Sequence, residues 1–378
     1  MKYLSKITFS ALCAASILAS ACAELNDPVQ FVDGKEVSVA YAAKVVNSEE
    51  DADRTSLLLF LADEAASQMS QGMSIPALDE VCESVGVKSV ERLFVSNSDM
   101  ARSRGMHRWY LVSFDDQVNP FEMAELFSSL SCVDKVQYNT VVSRDYGSEG
   151  TPYSYAPKAY GEFALPYNDP LLPDQWHYVN NLDISVAETS RSGADINVKN
   201  AWKLCAGDPM VIVAVCDEGV KYNHPDLIDN MWVNEDEIPA NGIDDDNNGY
   251  VDDIHGWNFL STTDYPKTIS WAEDGDKGHG THVAGTVAAV NHNGIGVGGV
   301  AGGSGKGDGV KIMSCQVFSG NSSATVASRA KAYEYAANNG ACILKCSFGL
   351  SGGMLTSDGA FDLSYGVEKV GLDYFFNY

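Results

Sequence analysis

A chain of 378 residues, 45% hydrophobic and 20% charged, has ordinary globular composition and room for roughly two or three domains with a sizeable core. Its 51 Asp and Glu against 25 Lys and Arg give a formal net charge of -26. Such an excess repels phosphate backbones, which argues against nucleic acid as a partner, and leaves carboxylates free to meet cations such as calcium.

The chain begins MKYLSKITFSALCAASILASACAE, with Lys2 and Lys6 ahead of an apolar stretch over residues 7–18 and then small residues. This is the pattern of a secretory signal over residues 1–22, too short and wrongly flanked for a permanent membrane helix. Ala19-Ser20-Ala21 suits a signal peptidase, while Cys22 suits lipid attachment, although Leu18 stands four residues before it and not three. Both endings remain open, and both export the protein, to be secreted, periplasmic or lipid-anchored to the envelope. Beyond Cys13 and Cys22 the chain has an odd number of cysteines. Cys216, Cys315 and Cys346 lie in apolar runs, where cysteine behaves as a small hydrophobe; a Cys82–Cys132 bridge is one option for the others.

Residues 50–144 form a first unit. The pattern predicts a strand over 56–62 (SLLLFLA), a helix over 76–84, a strand over 87–95, a strand over 107–114, a helix over 120–131 opened by Pro120, and a strand over 133–142. This β-α-β-β-α-β order is a small α+β split βαβ unit. Residues 145–167 turn to Gly, Ser, Pro and Tyr without periodicity, the composition of an exposed linker. Over 168–378, apolar strands at 211–216, 310–317 and 342–347 alternate with helices at 280–290 and 324–338, the latter closed by Gly340. Strands without polar alternation, separated by helices, predict an α/β fold with a doubly wound, mostly parallel sheet.

Asp217 ends the first of those strands (VIVAVCDEGV), where open α/β sheets carry their chemistry; a lone Asp there is more often a helix or loop cap. Residues 241–253 (NGIDDDNNGYVDD) offer Asp244, Asp246 and Asn248 at alternating positions, Gly249 for a sharp turn, a carbonyl at Tyr250, and Asp252. This is most of an EF-hand-like calcium loop, except that His255 stands where the closing Glu belongs, which makes Asp253 a candidate for that ligand. A merely solvated acidic loop is the other reading. Next, GHGTHVAGTVAA places His279 and His282 three residues apart at the start of a helix whose Gly280, Ala284, Gly285 and Ala288 permit tight packing. A zinc pair would need the Glu of an HExxH arrangement, which is missing. An Asp and a His so placed are instead the working half of a nucleophile-activating triad.

VIVAVCDEGVKYNHPDL and GHGTHVAGTVAA together resemble the Asp and His motifs of the subtilisin-like serine proteases, in the chain order Asp, His, Ser. The resemblance implies Asp217 as orienting acid, His279 as general base and His282 as a packed structural neighbour. Glu218 departs from the Ser or Thr of many members. Ser347-Phe348-Gly349 resembles the strand that pairs with a polypeptide substrate, and FSGN at 318–321, with Ser319 and Gly320, the opposing edge. The unit before the linker resembles the family's propeptide, a folding aid and intramolecular inhibitor. A second calcium site is implied in the same way, from Asp226 and Asn293 with the carbonyls of Ile295 and Val297.

The family's nucleophile stretch, Gly-Thr-Ser-x-Ala, does not occur in these residues; SGGM at 351–354 is only an echo. A final amphipathic helix over 367–378 ends on Phe375, Phe376 and Tyr378 with no later strand to cover them, which reads as a truncation. The resemblance thus covers a propeptide and about two-thirds of a catalytic domain, inactive alone because the serine is missing. The rival reading is a non-catalytic exported peptide-binding pseudoprotease.

Overall fold

The computed structural model describes residues 29–32, 35–38, 44–47, 51–142, 165–180, 191–260, 269–272, 277–320, 322, 324–349 and 366–378. The signal segment, nearly all of the linker, Asn321 and the SGGM stretch lie outside the described residues.

A hairpin of β1 (Val29–Val32) and β2 (Lys35–Ser38) precedes the first unit. Then come β3 (Ala52–Leu61), α1 (Asp63–Ser70), α2 (Pro76–Val85), β4 (Ser89–Arg92), α3 (Asp99–Ser103), β5 (Trp109–Ser113), α4 (Pro120–Ser129) and β6 (Val133–Val142). Proline opens both α2 and α4, where its missing N–H costs nothing. The Asn119 side chain accepts the Phe121 N–H to cap α4, and α2 stops at Gly86 in the left-handed region. Helix α1, which the sequence pattern did not predict, follows directly on β3 with Asp63 and Glu64 in its first turn.

The strands of this unit form an antiparallel sheet in the order β10-β6-β3-β5-β4, with β10 (Ala324–Thr325) contributed from far along the chain. Side chains alternate across the central β3. Leu57, Leu59 and Leu61 face a core with Leu78, Phe121 and Phe127 of α2 and α4. Leu58 joins a second core with Tyr333, Tyr335 and Tyr374 from the C-terminal part of the chain. A run as apolar as SLLLFL is thus explained: both faces of this antiparallel sheet are covered.

The second sheet is parallel throughout, in the order β11-β7-β9-β8, from β7 (Ile212–Glu218), β8 (Gly256–Asn258), β9 (Lys311–Phe318) and β11 (Ile343–Cys346). Strand β8 has three residues, too few to show a period in sequence. Its helices are α5 (Val198–Ala201), α6 (His279–Ala288), α7 (Val326–Asn338) and α8 (Gly366–Asn377). The helix expected over 324–338 begins at Val326, behind a capping box of Thr325 and Ser328, because Ala324 and Thr325 instead pair with Val142 and Val141 of β6.

Helix α7 lies between the two sheets and buries nearly every side chain. Arg329 within it is 1% exposed and pairs with Glu368 of α8 at 2.7 Å, with the Tyr333 hydroxyl donating to the same carboxylate at 2.9 Å. A buried pair so satisfied tolerates burial; either partner alone would not. The terminal helix is also better covered than its sequence suggests: Tyr374 and Phe375 are buried, and only Phe376 and Tyr378 of its aromatic end are exposed.

Cys82 and Cys132 are free thiols, so the bridge between them is not formed; burial pushes the Cys82 thiol up to about 11. Cys216 stands opposite Cys315 on one side and Cys346 on the other, a row of thiols across the parallel sheet. Among the described residues no helix is long and apolar enough to cross a membrane.

Candidate active site

Strand β7 carries Asp217 at its carboxyl end, where the register against β9 slips by a residue so that Glu218 stands opposite Phe318. Gly278 turns the chain through φ 72° into α6, whose first residue is His279. Gly280 follows because there is no room for more: a Cβ there would lie 2.0 Å from the Glu218 carbonyl oxygen. That close approach of helix to strand end brings the two motif residues together across 62 positions of sequence.

Asp217 is 1% exposed, and its Oδ1 accepts from His279 Nδ1 at 2.7 Å and from the Glu218 N–H at 2.7 Å. With the ring proton on Nδ1, Nε2 is left as an acceptor, and a third of the His279 side chain is exposed. Glu218, itself fully buried, accepts the His279 backbone N–H at 3.0 Å and so serves the open N-terminus of α6. His282 differs from expectation. It is exposed, because the buried stripe of α6 runs through Gly280, Ala284 and Ala288, and position 282 falls off it.

Ser347, Phe348 and Gly349 continue from the end of β11, an edge strand, without pairing of their own in the described residues. Phe348 meets Phe318 with ring centroids 5.5 Å apart, which joins this stretch to the start of the 318–321 turn. Ser319 lies 3.2 Å from Ser270 through their hydroxyls, and Ser322 closes the turn by donating its N–H to the Ser319 carbonyl at 2.9 Å. Gly320 occupies the turn at φ 53°, a conformation that glycine adopts at least cost.

The acidic loop gathers a different set from the one its spacing suggests. Glu237, Asp246 and Asp253 bring carboxylate oxygens within 4.8 Å of one another. Asn248 donates to Asp246 at 2.9 Å and to Asp253 at 3.1 Å, and Asn234 bridges the same two at 3.0 and 2.8 Å. Asp252 is not part of the cluster: a left-handed backbone turns its carboxylate outward to cap the N–H groups of Asn241 and Gly242. Asp244 accepts the N–H groups of Asn248 and Gly249 and shapes the turn. Asp253, the alternative for the missing Glu, is fully buried and accepts from the Tyr335 hydroxyl of α7 at 2.6 Å. Burial raises its carboxyl above the usual range, against the pull of those hydrogen bonds. Three carboxylates offer an all-oxygen set that fits a hard cation such as calcium, while Asn234 and Asn248 turn their amide nitrogens, not their oxygens, toward it. Glu237 escaped the sequence reading because it stands in an acidic run with Glu235 and Asp236, and only the fold selects among them.

Asp226 and Asn293 also meet. Asn293 Nδ2 donates to Asp226 Oδ1 at 2.8 Å, and the Val297 N–H to Oδ2 at 3.0 Å. Asp169, which the sequence did not single out, accepts the N–H groups of His292 and Asn293 beside them. Burial raises the Asp226 carboxyl, and the Asp169 charge adds to this. Among the described residues the only group of three or more acidic, His or Cys ligands is that of Glu237, Asp246 and Asp253.

The sequence profile of the subtilase family (Peptidase S8) matches residues 208–368, a stretch that includes both Asp217 and His279. Subtilisin-like protease 1 of Plasmodium berghei is 33% identical over 183 residues, 48% of this chain and 26% of that protein. Halolysin of Haloferax mediterranei is 31% identical over 154 residues, 41% of this chain and 24% of that protein. The chain therefore spans about a quarter of the length of these curated relatives. Among solved structures, fervidolysin of Fervidobacterium pennivorans aligns over 86% of this chain and 40% of its own, with a TM-score of 0.44 and 18% identity.

Proposed function

We propose, from the match of residues 208–368 to the subtilase family profile, that this chain is the Asp- and His-bearing part of an exported serine endopeptidase precursor. The observation that carries the reading is the 2.7 Å contact between buried Asp217 and the Nδ1 of a part-exposed His279. In this reading Asp217 fixes the tautomer and stabilises the imidazolium that forms when Nε2 takes a proton from a nucleophile's hydroxyl. A polypeptide substrate lies extended against the backbone of 347–349 and of 319–320, held by main-chain hydrogen bonds, while pockets choose its side chains. Glu237, Asp246 and Asp253 would hold calcium, whose charge would offset their mutual repulsion, in a loop already tied to α7 by the Tyr335 hydroxyl on Asp253. The unit of β3 to β6 acts as an intramolecular inhibitor and folding aid, and the leader directs export.

The hydroxyl that His279 would activate is not in a Gly-Thr-Ser-x-Ala stretch of residues 1–378. These residues expressed alone are expected to hydrolyse no peptide. Peptide hydrolysis by them that a serine-directed inhibitor abolishes would overturn the reading. Where the reading frame is continued to supply such a stretch, the product is an inhibitor-sensitive endopeptidase, and Asp217→Asn lowers its turnover by about 10⁴-fold. An inert continued product that still binds extended peptides would favour the pseudoprotease instead.

A further inference from the structure

Between the first sheet and the terminal helix lies a cleft of ≈ 300 Å³ that the proposed peptidase chemistry does not use. One wall is the face of the sheet that looks toward the C-terminal part of the chain. Phe60 and Trp109 line it, with ring centroids 5.0 Å apart. The opposite wall is α8, through Lys369 and its neighbours. Arg104 and Lys135 complete the lining.

This is a concentration of positive charge in a protein of net charge -26. Lys369 is paired with Asp373 at 2.7 Å, but Arg104 and Lys135 have no ion pair among the described residues. Lys135 Nζ is instead poised 5.4 Å from the centroid of Phe60. Gln137 is the second, independent indication. It is fully buried, its Oε1 accepts the Val367 N–H at 3.4 Å, and its Nε2 has no hydrogen-bond partner among the described residues. The buried Nε of Arg104 has none either. An unsatisfied buried donor costs about 1–3 kcal/mol, so two of them on residues that line one cationic cleft ask for an acceptor.

We infer that this cleft is a binding site for a small oxyanion, a carboxylate or sulfate-like group, held by Gln137 Nε2, Arg104 and Lys135 over the Phe60–Trp109 floor. Because its walls come from the sheet and from α8, a bound anion favours the arrangement in which the two are together. It would therefore oppose their separation by mass action. The site stands on its own geometry and does not depend on peptidase activity.

The test is thermal unfolding of the 378-residue protein in sodium sulfate and in sodium chloride of equal ionic strength, at fixed calcium. General exclusion of sulfate from protein surfaces raises the midpoint steadily, whereas a site adds a saturable component. That component is expected at millimolar sulfate. Arg104→Ala raises the half-saturating concentration about tenfold or more, the worth of one charge-assisted hydrogen bond. Gln137→Glu, which keeps the acceptor for Val367, abolishes it. Lys135→Ala removes an exposed charge that has no ion pair among the described residues and weakens it without unfolding the protein. Lys88→Ala, at a distant surface pair with Asp115, leaves it unchanged. Absence of a saturable component in the unaltered protein, or its persistence in Lys135→Ala and Arg104→Ala alike, overturns the proposal.

Discussion

Glu334 shows how much one side chain in this protein can depend on its surroundings. It is a carboxyl in the middle of α7, fully buried, and its two oxygens accept the N–H groups of Val95 and Ser96 at 3.0 and 2.7 Å. Burial pushes it up from 4.5 to about 7, against the pull of those two hydrogen bonds and of the Arg92 and Lys331 charges. The folded protein thus holds this proton more tightly than the unfolded chain does. The stability it contributes is complete below 4.5 and is lost as pH rises through about 7, on the order of 3 kcal/mol in all. Denaturant midpoints measured from pH 4.5 to 8 are expected to fall across that window, and Glu334→Gln to flatten the fall. An equal slope in the variant would assign the pH dependence to other groups. Nothing in YEYAANN marks Glu334 as different from any helical glutamate, because the N–H groups it accepts come from some 240 residues earlier.

Among the elements, the acidic loop has the sharpest consequence. Its spacing suggests a cation loop, yet the backbone at Asp252 turns that carboxylate to a loop cap, and it is Asp253 and Glu237 whose carboxylates cluster with Asp246. Chelation of calcium is therefore expected to lower the melting midpoint, because free calcium at a hundred times its dissociation constant adds about 2.7 kcal/mol. Asp253→Asn and Glu237→Gln should remove most of that calcium dependence. Asp252→Asn should leave it, at the cost only of a loop cap. Titration with calcium during melting separates the two sets, and a loss confined to Asp252→Asn would restore the ligand order that spacing suggests.

At the scale of the whole molecule, the first unit and the C-terminal part share a core. Leu58, Phe94 and Leu111 pack in the same cluster as Tyr333, Tyr374 and Phe375. Asn139 accepts the Ala327 N–H at the start of α7, β10 extends the first sheet beside β6, and Ser96 meets the Tyr374 hydroxyl at 3.1 Å. A chain cut once between residues 145 and 167 is therefore expected to stay together, its two pieces eluting as one species in gel filtration. Adding Asn139→Ala and Glu334→Ala should allow them to separate. Pieces that part on cutting alone would mean that this interface contributes little.

Much of this protein is local and was legible in its sequence. Prolines at 76 and 120 open helices, the apolar runs at 211–216, 310–317 and 342–347 supply the parallel strands β7, β9 and β11, and Asp217 and His279 announce themselves by their neighbours. Periodicity and capping act over a few residues, so they survive in one dimension. What only the tertiary structure decided depends on groups far apart in the chain. It turned His282 outward, set Asp253 and not Asp252 beside Asp246 and Glu237, left Cys82 and Cys132 as thiols, and gave Ala324 and Thr325 to the first sheet. Each outcome follows from which surface happens to lie opposite, and burial and hydrogen-bond satisfaction are properties of that meeting, which the order of residues alone does not specify.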